Sequence, residues 1–143
     1  MGNYLKSLDQ KGRVKLPPIF KETLTADGST VVLTRNLDGS INLYPQDEYR
    51  KLANYLSSLP KGSQANRILV RLLIAESFEC SIDAQSRVNI PTNLQRAAGL
   101  LDTPQAIIAG VGNFIQIWQP DRYEKSLESL DLDSIGDDLD IQL

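Results

Sequence analysis

Asp9-Gln10-Lys11-Gly12-Arg13-Val14-Lys15-Leu16-Pro17 is answered 74 residues later by Asp83-Ala84-Gln85-Ser86-Arg87-Val88-Asn89-Ile90-Pro91. The correspondence continues without a gap, matching Ile41 to Ile115, Leu43 to Ile117, Tyr44 to Trp118, Asp47 to Asp121 and Tyr49 to Tyr123. An offset held from Ser7/Ser81 to Lys51/Lys125 marks one structural unit present twice. Two related units can pack against each other as an intrachain pair and present two similar loops side by side.

Within the first unit, Tyr4 to Leu8 and Arg13 to Leu16 alternate apolar with polar residues around Asp9-Gln10-Lys11-Gly12. That pattern predicts two short strands joined by a tight turn, with Gly12 supplying backbone freedom. Pro17-Pro18 predicts a helix start, with Ile19, Phe20 and Leu24 on one side. Val31 to Thr34 and Ile41 to Tyr44 read as strands around the turn signal Asp38-Gly39. Tyr49, Leu52, Ala53, Leu56 and Leu59 then recur at helical spacing.

Pro60 to Ser63 is a short break, followed by a second helical stripe over residues 65–75. A core or subunit-interface helix is expected there, in preference to a lipid-binding one. The second copy repeats strand, loop and strand. It adds a helix through Leu94, Ala97 and Ala98 that stops at Gly99, and strands Ala106–Ala109 and Phe114–Trp118 around Gly110-Val111-Gly112-Asn113. Asp121 to Leu130 reads as a last helix, and residues 131–143 as an acidic, mobile tail. The recurrence of Tyr44/Trp118 and Tyr49/Tyr123 favours packing roles over base stacking.

Composition removes most hydrolase designs and leaves a carboxylate-only enzyme as the remaining catalytic option. The chain of 143 residues contains no histidine and one cysteine. Histidine-based nucleophilic machinery, histidine metal sites and an internal disulfide are therefore excluded. No catalytic activity and no cofactor or metal are expected. No apolar run approaches the roughly 20 residues of a membrane helix, and the N-terminus lacks a secretory signal. The expected address is the cytoplasm, without membrane or small-molecule partners.

The net charge of −3 conceals an asymmetry. Residues 126–143 carry Glu128, Asp131, Asp133, Asp137, Asp138 and Asp140 with no Lys or Arg. All 15 basic residues lie before that segment, against 12 acidic ones, so the body of the chain is mildly basic. Lys6, Lys11, Arg13, Lys15 and Lys21 crowd the N-terminus with Asp9 alone as counter-charge before residue 22.

Asp-x-x-x-Arg followed by Val-x-(Leu/Ile)-Pro carries the functional reading. An aspartate four residues before an arginine across a tight turn can fix both loop and guanidinium. One such exposed pair is an ordinary structural staple. Two copies, one among extra lysines, point to a presented surface.

Gly2-x-Tyr4, Leu8 to Val14, Leu33 to Pro45, Arg71-Leu72-Leu73, Ile90-Pro91-x-Asn93-Leu94 and Gly110 to Trp118 together resemble the MraZ family of bacterial transcription regulators. The resemblance covers residues 2 to about 126. Ser86 departs from it, because the family's second motif usually has glycine there. The resemblance implies an α+β fold with a mainly β core. Two tandem swapped-hairpin, AbrB-like double-split β-barrel units would form an intrachain pseudo-dimer with flanking helices. Its expected divisions are a first SpoVT/AbrB-like unit at 3–47, a helical connector at 48–76, a second unit at 77–121, and a C-terminal helix and acidic tail at 122–143.

The resemblance further implies ring-shaped homo-oligomers bound to double-stranded DNA, at short direct repeats upstream of the division and cell-wall gene cluster, including its own promoter, in the nucleoid-associated cytoplasm. Carried over by position, the DNA-facing residues are Asp9, Lys11, Gly12 and Arg13, with Asp83, Gln85 and Arg87. Physical reasoning adds Lys15. Arginine can take a guanine edge through two hydrogen bonds, whereas lysine anchors phosphate. Arg13 is expected as the principal base reader, oriented by Asp9, with Lys11 and Lys15 on phosphates. Arg87 is the second reader, and the first loop is expected to dominate affinity. The alternatives are an oligomeric scaffold for protein partners, or an AbrB- or antitoxin-type regulator with other targets.

Overall fold

The computed structural model describes residues 2–26, 28, 30–128 and 139. In chain order these form strands β1 (Asn3–Ser7) and β2 (Arg13–Lys15), helix α1 (Pro18–Leu24), strands β3 (Thr30–Arg35) and β4 (Ile41–Pro45), and helices α2 (Gln46–Ser57) and α3 (Gln64–Val70). A π-helical turn at Arg71–Ala75 continues α3. There follow β5 (Phe78–Ser81), β6 (Arg87–Asn89), α4 (Thr92–Ala97), β7 (Gln105–Gly110), β8 (Ile115–Trp118) and α5 (Pro120–Glu128).

The strands of the two copies interleave. Six build one antiparallel sheet in the order β1-β7-β8-β4-β3-β5, while β2 and β6 pair as a separate ribbon. Thus β1 of the first copy lies on β7 of the second, and β5 of the second lies on β3 of the first. At the centre of the large sheet Asn42 faces Gln116, and at the centre of the ribbon Val14 faces Val88. Both pairs join positions that the 74-residue offset makes equivalent. The register at these two pairings therefore reads the same from either copy, whereas β3 is displaced by one residue relative to β7: Ser7 faces Gln105, but its counterpart Ser81 faces Thr30 and not Val31.

This pairing alters one expectation. The turn at residues 9–12 forms, but the strands around it do not build a hairpin with each other. Their pairing among the described residues is limited to an isolated bridge between Leu8 and Val14, next to the bond from Asp9 N to Arg13 O at 3.0 Å. A three-residue strand has little to gain from one local partner. Crossing to the other copy gives β1 a five-pair ladder with β7 and sets Val14 against Val88.

One hydrophobic cluster unites the copies. Val14, Leu16, Leu24, Leu33 and Leu43 from the first interleave with Val88, Ile90, Leu94, Ile108 and Ile117 from the second. Burying this surface is the main stabilising contribution, at about 25 cal/mol per Å². In α1, Phe20 and Leu24 face the core at an i, i+4 spacing. Ile19, expected beside them, is turned one residue away around the helix and is 54% exposed.

The sheet's other face holds a polar seam. Asn42 Nδ2 donates to the Tyr44 hydroxyl at 2.9 Å, Gln116 Nε2 to Asn42 Oδ1 at 3.3 Å, and Trp118 Nε1 to Gln116 Oε1 at 3.0 Å. Tyr44 packs on Tyr49 with ring centroids 6.1 Å apart, and their counterparts Trp118 and Tyr123 lie 5.8 Å apart. The repeated aromatic positions are packing residues, as expected.

The stripe over 65–75 is helical, divided between α3 and the π turn, and none of its residues is fully buried. The last helix ends at Glu128 within the described residues, and the acidic segment expected at 131–143 lies outside them apart from Leu139.

Candidate nucleic-acid interface

The two Asp-x-x-x-Arg loops have the same internal wiring. Asp9 Oδ1 accepts the backbone N–H groups of Lys11 and Arg13, both at 2.9 Å. Its Oδ2 accepts Arg13 Nε at 2.7 Å. Asp83 repeats this with Gln85 N at 2.9 Å, Arg87 N at 2.8 Å and Arg87 Nε at 2.9 Å. Each carboxylate thus closes its own turn and fixes the root of its arginine. The backbone hydrogen bond from the arginine does most to hold each aspartate below its ordinary value near 3.8; desolvation opposes it, and the guanidinium adds to the lowering. Both groups are ionised hydrogen-bond acceptors at neutral pH.

The turns need a left-handed residue at their third position after the aspartate. Gly12 meets this with φ 78°, and Ser86 adopts the same conformation with φ 64°. Ser86 is the only non-glycine residue at positive φ among the described residues. The serine therefore preserves the loop at a conformational cost that glycine avoids. The same backbone bonds flank both: Leu16 N donates to Ser86 O at 2.8 Å, and Ile90 N to Gly12 O at 2.9 Å. Each loop is thereby stitched to the strand end of the other copy.

The ribbon decides which way the side chains point. Arg13 stands opposite Asn89, Val14 opposite Val88, and Lys15 opposite Arg87. Residues directly across an antiparallel pair share a face. Val14 and Val88 are fully buried, so Arg13, Lys15, Arg87 and Asn89 form a two-by-two array on the outer face. The side chains of Arg13 and Arg87 are each 30% exposed and are rooted in their loops through Nε. With Lys11 exposed beside them, four cations face two carboxylates already committed to internal hydrogen bonds.

The structure thus brings all the sequence-derived residues, Asp9, Lys11, Gly12, Arg13, Lys15, Asp83, Gln85 and Arg87, onto the ribbon and the loops that lead into it. Sequence reading missed Asn89 as the fourth member of the array. The alternation Arg-Val-Asn places it on the arginine's face, but its position opposite Arg13 depends on pairing between copies. It also missed Gln95, whose side-chain Nε2 donates to Ile90 O at 2.7 Å and packs over Gly12.

Cys80 packs against the core, and burial pushes its thiol up to about 11, away from reactive thiolate. No group of three or more metal-ligating side chains occurs among the described residues, nor is any described helix long and apolar enough to cross a membrane. Gly110 to Asn113 is a hairpin turn between β7 and β8, closed by Val111 N donating to Phe114 O at 3.0 Å.

Comparison with known proteins agrees with the duplication. The family model described as "MraZ protein, putative antitoxin-like" matches twice, over residues 1–72 and 73–139. A protein of Pediococcus pentosaceus named "Transcriptional regulator MraZ" is 36% identical over 141 residues, covering 97% of this chain and 95% of its own length. One of the same name from Limosilactobacillus reuteri is 37% identical, covering 99% and 97%. Another, from Roseiflexus castenholzii, is 37% identical over 131 residues, covering 92% and 88%.

Proposed function

Because the chain belongs to the MraZ family, we propose that it is a DNA-binding transcriptional regulator without catalytic activity, acting through the outer face of the β2–β6 ribbon. The observation that carries this reading is the two-by-two array of Arg13, Lys15, Arg87 and Asn89 above a fully buried valine pair. A two-stranded ribbon fits the major groove, where arginine meets guanine O6 and N7 and asparagine meets adenine. Arg13 and Arg87 read base edges, steadied by Asp9 and Asp83. Lys11 and Lys15 bind phosphates and supply the larger share of affinity, because the second copy has Gln85 and Asn89 at their positions.

The strand exchange supports two swapped-hairpin, AbrB-like units, at 3–47 and 77–121, that close as an intrachain pseudo-dimer of the double-split barrel type. Residues 48–76 connect them and 122–143 follow. A surface this modestly charged grips a single site weakly. Ring-shaped homo-oligomers engaging short direct repeats multiply that grip without new contacts. The half-exposed apolar stripe of α3 and its π turn, including Ile68, Leu69 and Leu72, supports self-association. The targets in this reading lie upstream of the division and cell-wall genes, including the protein's own promoter, in the nucleoid-associated cytoplasm.

A mobility-shift titration with the DNA directly upstream of this gene tests the proposal. The native chain should retard it, and Lys11→Gln with Lys15→Gln should lower the slope of log affinity against log salt by about 2. An unchanged slope in the folded variant would remove the ribbon from the interface.

A further inference from the structure

The two arginines are held differently, and the difference lies in one side chain. Arg87 donates through Nε to Asp83 at 2.9 Å and through Nη2 to Gln85 Oε1 at 2.9 Å. Nε and Nη2 form one edge of the guanidinium, so that edge is closed by two acceptors. What remains open is the end-on fork, Nη1 with the second hydrogen of Nη2. Arg13 makes the corresponding Nε bond to Asp9 but has no second side-chain acceptor among the described residues. The position equivalent to Gln85 is Lys11, whose ammonium has no lone pair to offer and repels a neighbouring guanidinium.

We propose that Gln85 is a positioning residue that locks Arg87 for end-on reading of one base pair, making the second loop the more discriminating of the two. This rests on the DNA-binding reading above and adds a division of labour to it. With two of its five donors fixed, the guanidinium loses rotational freedom before binding, and its fork meets guanine O6 and N7 at a set angle. A misplaced partner then leaves the fork unpaired, because the plane cannot turn to find another acceptor. Arg13, fixed at one point and accompanied by Lys11 and Lys15, can follow the backbone or a neighbouring base. The first loop thus contributes grip and the second contributes choice.

The experiment uses the full chain and a duplex that it selects from a random-sequence pool. Each base pair of that duplex is then substituted singly and the affinity ratio measured. Arg87→Ala identifies its base pair as the one where substitution no longer matters. Gln85→Lys should reduce discrimination at that same base pair by about 5- to 50-fold, while total affinity stays equal or rises, because a phosphate anchor replaces the clamp. Gln85→Glu, which keeps an acceptor, should retain the discrimination while binding more weakly overall. A purely structural role for Gln85 would not separate affinity from selectivity in this way. Melting curves confirm that the variants fold.

Wild-type discrimination in both Gln85→Lys and Gln85→Ala would overturn the proposal. If Arg13→Ala and Arg87→Ala both bind the selected duplex as well as the native chain, the DNA-binding reading of the ribbon fails with it. If those two lose binding while the Gln85 variants keep full selectivity, the positioning role alone is wrong.

Discussion

Lys15 lies directly across the ribbon from Arg87. Like charges at opposed positions of an antiparallel pair disfavour folding, and Asn89, equivalent to Lys15, shows that a neutral residue fits the same site in the other copy. The pairing makes sense if an anion lies above it. Lys15→Gln should therefore raise the melting temperature slightly, by on the order of 1 °C, while weakening DNA binding. A variant that is less stable and binds equally well would point instead to a structural role for the lysine.

The left-handed turn positions give a second prediction. Ser86→Gly relieves a conformation that a Cβ disfavours, and should stabilise the fold by about 0.5–1 kcal/mol in denaturant unfolding. Gly12→Ala should destabilise by more, on the order of 2 kcal/mol. It adds the same strain, and its Cβ collides with the Gln95 amide and lies 3.1 Å from Ile90 O. Loss of stability in Ser86→Gly would show that the serine hydroxyl holds the loop.

Much of this was legible in the residues, for a physical reason. Turn chemistry is local, so Asp9, Gly12 and Arg13 announce their loop without reference to the rest of the chain. The 74-residue offset declares the duplication in the same way. Strand partners are not local. Val14 alternates as a strand residue whether it pairs with Leu8, with a second chain or with Val88, and nothing in its neighbours names which. The membership of Asn89 in the array, and the contact of Gln95 with Gly12, depend on that choice. The Gln85–Arg87 bond was invisible for another reason. A glutamine two residues before an arginine usually faces solvent, and only the closed turn brings their heads together. Ile19 shows the limit of periodicity, because adjacent helical positions lie about 100° apart and only Phe20 kept the inner one.

Symmetry in the core yields a third prediction. Val14 and Val88 face each other, both fully buried and equivalent under the repeat. Val14→Ala and Val88→Ala should each cost about 2 kcal/mol and should do so almost equally. A cost confined to one of them would break the equivalence of the two copies at the ribbon.

The loops also set an acid limit. The aspartates have folded-state values depressed below their unfolded ones, so their contribution is present above the ordinary value near 3.8 and is lost as pH falls through the lower folded value. The chain has no histidine to titrate between pH 5 and 8. DNA affinity should therefore be flat across that range, and the loop signals of Arg13 and Arg87 in NMR should shift only below the ordinary aspartate region. A transition near pH 6 would require a group outside these loops.

The central claim is that the outer face of the β2–β6 ribbon touches DNA. Photocrosslinking the native chain to its upstream duplex, followed by mass-spectrometric mapping, tests this without altering a residue. The account predicts crosslinks within residues 9–15 and 83–89. Crosslinks found only on α2, α3 and the π turn, with the ribbon peptides unmodified, would contradict it.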